Sequence, residues 1–189
     1  MNISAVLLAG GESQRMGRDK ASISILGKPL WEHQLEKLRI LEPEKIFVSA
    51  RIDPSWRPGD VHFIADTAPS CGPLSGLAAS IERMTTSYLL VLAIDMPWMS
   101  KTYLRFLCAQ IASGCGVVPK IGDRAEPLAA IYPQEAATEF RHALRGHDFS
   151  LQSLVRELVA AGKLRHISVT PPDEKLFLNV NVLSDLPSS

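Results

Sequence analysis

Apolar runs at Ile3–Ala9, Lys45–Ser49, Val61–Ile64 and Tyr88–Ile94 have the length of strands, and each stops at a turn or acidic residue, as strands buried on both faces do. Between and after them the spacing changes to that of helices. Leu30, Leu35, Leu38 and Leu41 recur on one helical face, Leu74–Met84 predicts a second helix, and Lys101–Ala112, Gln134–Arg145 and Ser150–Ala160 predict others. Strand and helix in alternation, with short connections, bury their apolar faces best as a mainly parallel sheet covered on both sides. The expected fold class is therefore α/β, a single-domain three-layer α/β/α sandwich. Ala125–Tyr132 is a candidate late strand, antiparallel and at an edge. Pro171-Pro172-Asp173 reads as a turn before Phe177, and Leu186–Ser189 as a frayed tail.

Sheets of this kind bind ligands beyond the carboxyl ends of their strands, and the polar candidates fall there. The first strand runs into Gly10-Gly11-Glu12-Ser13-Gln14-Arg15-Met16-Gly17-Arg18-Asp19-Lys20, the third delivers Asp66 and the fourth Asp95. A glycine has no Cβ, so its backbone N–H can approach phosphate oxygens closely while Arg15 and Lys20 neutralise their charge. The loop is neither a Walker A motif, because Gly17 is followed by Arg-Asp-Lys, nor a Rossmann G-x-G-x-x-G fingerprint. A plain βα turn is the competing reading, and the added cations favour a phosphate cradle.

Composition narrows the class of function. The chain has 189 residues, 46% apolar and 21% charged, with 20 basic residues cancelling 20 acidic ones, so a general nucleic-acid or anionic-membrane surface is not indicated. Cys71, Cys108 and Cys115 are odd in number and lack C-x-x-C spacing, which argues against a disulfide framework or a zinc site and for reduced thiols in the cytoplasm. Met1-Asn-Ile-Ser lacks the charged start of a signal peptide, and Ala5–Gly11 is too short to span a bilayer. The five histidines form no i, i+4 pair or nucleophile constellation.

Leu8-Ala-Gly-Gly-x-Ser-x-Arg-Met-Gly-x-Asp-Lys20 resembles the signature of the nucleotidyltransferases that build molybdenum cofactors. Leu26-Gly-Lys-Pro-Leu30-Trp31, Gly72-Pro-Leu-Ser-Gly76, Asp95-Met-Pro97, Glu126-Pro-Leu128 and Asn179-Val-Asn181 follow in the same order. From about Ile3 to Asn181 the chain is most similar to the molybdenum cofactor guanylyltransferases, the MobA family. The resemblance implies a Rossmann-like sheet and transfer of GMP from GTP to molybdenum-bound molybdopterin, with release of pyrophosphate and magnesium as activator. Small-molecule substrates are the expected partners, alongside molybdopterin-synthesis proteins and molybdoenzyme chaperones. Residues 1–100 would form mainly the nucleotide-binding half and residues 101–189 mainly the acceptor-binding half. Related readings are transfer of another nucleotide, for example cytidylyl, or to another acceptor such as a sugar phosphate, and GTP or cofactor carriage without catalysis.

Site residues carry over position by position. Leu8, Ala9, Gly10 and Gly11 would border the nucleoside through their backbones, and Arg15 and Lys20 would hold the β- and γ-phosphates. Gly72, Pro73 and Leu74 would shape the base pocket. Asp66 would contact the base or the ribose, since one carboxylate can accept both guanine N1–H and N2–H₂; alternatively it is a strand-terminal turn residue. Asp95 would ligate magnesium, which prefers a few carboxylates plus phosphate oxygens and water; alternatively it caps the following helix or closes an Asp-x-Pro turn. Glu126 would face the pterin acceptor or serve a structural hydrogen bond. Asn179 would assist the metal or, with Asn181, the acceptor; an edge-strand turn is the alternative for Asn179. Arg18 and Lys28 read as solvated. The sequence departs from the family twice: Ser49 stands where asparagine is common, and Val182 replaces a small hydroxylated residue.

Overall fold

The computed structural model describes residues 2–10, 20–25, 27–66 and 71–180. In chain order the strands are β1 (Ile3–Leu8), β2 (Ser24–Ile25), β3 (Lys28–Pro29), β4 (Ile46–Ala50), β5 (His62–Ala65), β6 (Tyr88–Ala93), β7 (Gly116–Ile121), β8 (Arg124–Ala125), β9 (Ile131–Pro133) and β10 (Leu164–Ser168). The helices are α1 (Leu30–Arg39), α2 (Pro73–Arg83), α3 (Lys101–Ala109), α4 (Ala137–Arg145) and α5 (Leu151–Ala160). Strands β2 and β3 form a separate antiparallel pair, and the others make an eight-stranded sheet in the order β10-β7-β9-β6-β1-β4-β5, with β8 attached to β7.

The chain lays β4 and β5 outward from one side of β1, then returns to place β6 on the other side, all in parallel. That reversal creates a crevice beyond the carboxyl end of β1. Alternation along the strands divides the core in two. Ile3, Ala5 and Leu7 of β1 and Leu90 and Leu92 of β6 meet Leu35 and Leu38 of α1 and Leu104 and Leu107 of α3. On the opposite face Val6, Leu8, Leu89 and Val91 meet Leu74, Leu77 and Ile81 of α2, Phe140 of α4 and Leu158 of α5. Period-two strands sandwiched between helices produce these three layers.

Ends differ from the sequence expectation by a few residues: α3 stops at Ala109 behind its Ser100 N-cap, whose Oγ accepts from Tyr103 N, and α4 is preceded by a 3₁₀ turn at Gln134–Ala136. A larger correction concerns the late strand. The strand is Ile131–Pro133, and it lies inside the sheet, antiparallel to both β6 and β7. It is not an edge because β7 and β10, unanticipated from sequence, extend the sheet beyond it. Pro119 and Lys120 within β7 read against a strand. β10 is exposed over most of its length, so it shows no apolar run. Pro171–Phe177 forms 3₁₀ helix rather than a single turn. Leu186–Ser189 lie outside the described residues.

Candidate active site

Backbone pairing brings the carboxyl ends of β1, β4, β5 and β6 into one row. Leu8 lies opposite Ser49 on one side and Ala93 on the other. Ala9 N and Gly10 N both donate to Ser49 O at 2.9 and 3.1 Å, Asp66 N donates to Ala50 O at 3.0 Å, and Ile94 N donates to Leu8 O at 3.0 Å. Gly10, Ser49, Asp66 and Asp95 therefore line the same edge because each follows or ends a parallel strand.

Asp66 sits in a cleft that only glycines permit. Ser49 is fully buried and its Oγ donates to Asp66 Oδ1 at 2.7 Å. A Cβ on Gly10 would stand 2.5 Å from Asp66 Oδ2, and one on Gly76 would stand 3.0 Å from Oδ1 and 2.5 Å from Ser49 Oγ. The carboxylate is thus wedged between the start of the glycine loop and α2, with Oδ1 engaged by the serine. The departure from asparagine at position 49 gains its meaning here: Ser49 is spent on orienting Asp66.

Asp95 occupies the turn after β6. Burial pushes its carboxyl above the usual range, while the nearby Lys20 ammonium and a backbone hydrogen bond oppose that shift. Desolvation without a side-chain donor from the described residues is the electrostatic setting in which a carboxylate favours a cation. The helix-capping alternative is set aside, since Ser100 caps α3. Asp95 O accepts from Val180 N at 2.8 Å, and Val180 O lies 3.5 Å from Lys20 Nζ. Lys20 and Asp95 are thereby joined through one residue of the C-terminal segment, which also places the exposed Asn179 beside them in the chain. Among the described residues no cluster of three His, Cys, Asp or Glu could cage a metal. A single hard carboxylate suits magnesium completed by phosphate oxygens and water.

The remaining candidates separate by what their side chains touch. Leu8 and Leu74 are buried in the α2-side core, which leaves only their backbones for a ligand, whereas Gly72 and Pro73 are exposed at the start of α2. Glu126 is half-buried, its backbone N donates to Pro119 O at 2.8 Å, and burial raises its carboxyl against an opposing effect of Arg124. Lys28 pairs with Glu36 on the surface. Gly11, Arg15, Arg18, Asn181 and Val182 lie outside the described residues. Cys71, Cys108 and Cys115 are thiols, not disulfides, and no helix among the described residues is long and apolar enough to cross a membrane.

Sequence reasoning missed Gln34. It is fully buried on α1, and its Nε2 lies 3.1, 3.3 and 2.9 Å from the carbonyl oxygens of Ala93, Ile94 and Met96, on either side of Asp95. The available signal was a glutamine four residues from both Leu30 and Leu38, in the middle of the core stripe.

Comparison with known proteins bears on the family and the fold. The family model described as MobA-like NTP transferase domain matches residues 5–164. A probable molybdenum cofactor guanylyltransferase of Opitutus terrae is 33% identical over 176 residues, 92% of this chain and 87% of that one. A molybdenum cofactor guanylyltransferase of Syntrophotalea carbinolica is 31% identical over 188 residues, 96% of this chain and 88% of that one. Among solved structures, the molybdopterin-guanine dinucleotide biosynthesis protein A of Archaeoglobus fulgidus superposes with a TM-score of 0.75 at 24% identity, covering 96% of this chain and 94% of that one.

Proposed function

The chain belongs to the MobA-like NTP transferase family, and from that premise we propose that it transfers GMP from GTP to molybdenum-bound molybdopterin, forming the guanine dinucleotide cofactor and pyrophosphate. The observation that carries this reading is the placement of two differently equipped carboxylates on either side of the end of β1: Asp66, oriented by Ser49 at the β4–β5 side, and Asp95, desolvated near Lys20 at the β6 side. Asp66 accepts the adjacent N1–H and N2–H₂ donors of guanine, a pair that adenine and cytosine lack. The backbones of Leu8, Ala9 and Gly10 border the nucleoside, and those of Gly72, Pro73 and Leu74 shape the base pocket.

An oxygen of the acceptor's terminal phosphate attacks the α-phosphorus of GTP, and the bond from that phosphorus to the β-bridging oxygen breaks in line, so that pyrophosphate leaves. No protein nucleophile is required. Lys20 neutralises the β- and γ-phosphates as a compact charge, with Arg15 adding a planar fork. Asp95 would hold magnesium, with Asn179 assisting, and the ion would stabilise charge developing on the leaving group. Glu126 serves the acceptor, with Asn181 assigned there from the sequence motif alone, and residues 101–189 form mainly the acceptor-binding half. The product then passes to molybdoenzyme chaperones in the cytoplasm.

Isothermal titration with GTP, CTP, ATP and UTP, each with magnesium, tests this reading. Selective GTP binding is expected. A preference for CTP would redirect the assignment to cytidylyl transfer, and no nucleotide binding by the free protein would favour acceptor-first binding or a carrier.

A further inference from the structure

The carbonyls of the Asp95 turn are accounted for one by one, and a single side chain of α1 takes most of them. Past the end of β6 the backbone leaves the ladder; Met96 N donates to Ala93 O at 3.4 Å and Met99 N to Met96 O at 3.2 Å, and the remaining acceptor capacity of the turn needs other donors. Gln34 Nε2 reaches the oxygens of Ala93, Ile94 and Met96, and Lys37 Nζ reaches Pro97 O at 2.6 Å. Only Asp95 O points the other way, to Val180 N. Gln34 and Lys37 are one helical turn apart on α1, and Lys37 Nζ donates to Gln34 Oε1 at 2.7 Å. An ammonium can only donate, so this contact makes Oε1 the acceptor and directs the amide N–H groups at the turn.

The network serves the carbonyls of the turn and not the packing of α1 itself. Positions 30, 34 and 38 form one stripe, with Leu at both ends and full burial along it. A leucine at 34 would pack there without bringing a polar group into the core, whereas a buried amide is tolerated only when fully hydrogen-bonded. The glutamine gives the turn a rigid floor, and Lys37 accepts burial to support it: desolvation lowers its pKa to about 8.

We propose that Gln34, locked in orientation by Lys37, is a positioning residue for Asp95: it fixes the backbone on both sides of that carboxylate, so that the side chain is held ready for a cation. This deepens the proposed function and rests on its assignment of Asp95 to the metal. Partners that orient a metal ligand typically change metal affinity by about 10- to 100-fold when removed.

The test uses Gln34→Leu, the milder Lys37→Met, and Leu38→Val as a control that loosens the same helix without deleting a hydrogen bond to the turn. Hydrogen exchange of the 94–99 amides is measured in metal-free protein, and Mn²⁺ affinity is measured by titration with GTP present. GTP affinity in chelator serves as the reference. Gln34→Leu is expected to speed exchange in the turn and weaken Mn²⁺ binding about tenfold, with chelator GTP affinity held within about twofold. Lys37→Met should move both in the same direction by less, and Leu38→Val should move neither. Exchange at the wild-type rate in Gln34→Leu would overturn the proposal, as would wild-type Mn²⁺ affinity in that variant while Asp95→Asn abolishes binding. Wild-type Mn²⁺ affinity in Asp95→Asn would overturn the metal assignment itself, leaving the exchange comparison to decide whether Gln34 orders the turn.

Discussion

Gly76→Ala sets helix propensity against the geometry of the Asp66 cleft. Gly76 lies inside α2 and is not among the positive-φ glycines, so alanine meets no backbone strain and gains about 0.8–1.0 kcal/mol of helix propensity. Its methyl, however, would stand 2.5 Å from Ser49 Oγ, 3.0 Å from Asp66 Oδ1 and 3.3 Å from Leu8 Cδ2. Restoring contact at 3.4 Å moves the hydroxyl by about 0.9 Å. Ser49 has one side-chain torsion and no solvent to turn into, so it yields by breaking its 2.7 Å bond to Asp66. Overpacking costs about 1–3 kcal/mol, and the lost bond to a carboxylate adds about 1.5–3 kcal/mol. The expected net destabilisation is about 1.5–5 kcal/mol after the propensity gain, read by urea denaturation. Displacing Asp66, the carboxylate proposed to read the base, should weaken GTP binding about 10- to 100-fold in titration calorimetry. Ser49→Ala in the same chain removes the colliding atom, so the double variant should be more stable than the two single effects predict. A folded Gly76→Ala protein with GTP affinity within about twofold of wild type would refute the reasoning.

Asp95→Ala is expected to abolish magnesium-dependent turnover with little change in far-ultraviolet circular dichroism, because the side chain lies at a strand end outside both core clusters; full turnover would remove Asp95 from the mechanism. Lys20→Ala should weaken GTP binding by about 2 kcal/mol, the scale of a charge-assisted contact, and unchanged affinity by calorimetry would contradict the phosphate assignment. Burial pushes the Cys108 thiol from 9.0 to about 11, so between those values the native chain keeps a proton that the unfolded chain has released. Stability must then fall as pH rises through that window and be fully retained below it. Cys108→Ala should lose less stability than wild type from pH 9 to 11 in urea titrations; identical slopes would argue against the shift.

How far the site was legible follows from the range of the forces involved. Tyr88–Ile94 announces a buried parallel strand by its apolar content, while Val61–Ile64, read as another, leads into the edge strand β5, of which only Ile64 is buried; whatever follows either strand still arrives at the carboxyl edge. The sequence alone therefore puts Asp66 and Asp95 on one edge. Ser49 read as a departure from a family pattern, and its bond to Asp66 depends on β4 pairing with β5, a contact across 17 residues of chain. Gln34 was hidden for a similar reason: within α1 it is a polar interruption of an apolar stripe, and its partners lie about 60 positions away.

The amino-acid sequence by itself determined the alternation of elements, the layers they form, the glycine loop after β1 and the chemical types gathered at the carboxyl edge. These follow from hydrophobic periodicity and backbone freedom, which act over neighbouring residues. Tertiary structure alone decided that Ile131–Pro133 lies inside the sheet, that Gly10 and Gly76 wall in Asp66, and that Gln34 and Lys37 hold the turn of Asp95. Each of these is a contact between distant segments, set by which strand pairs with which and how closely a helix packs on them.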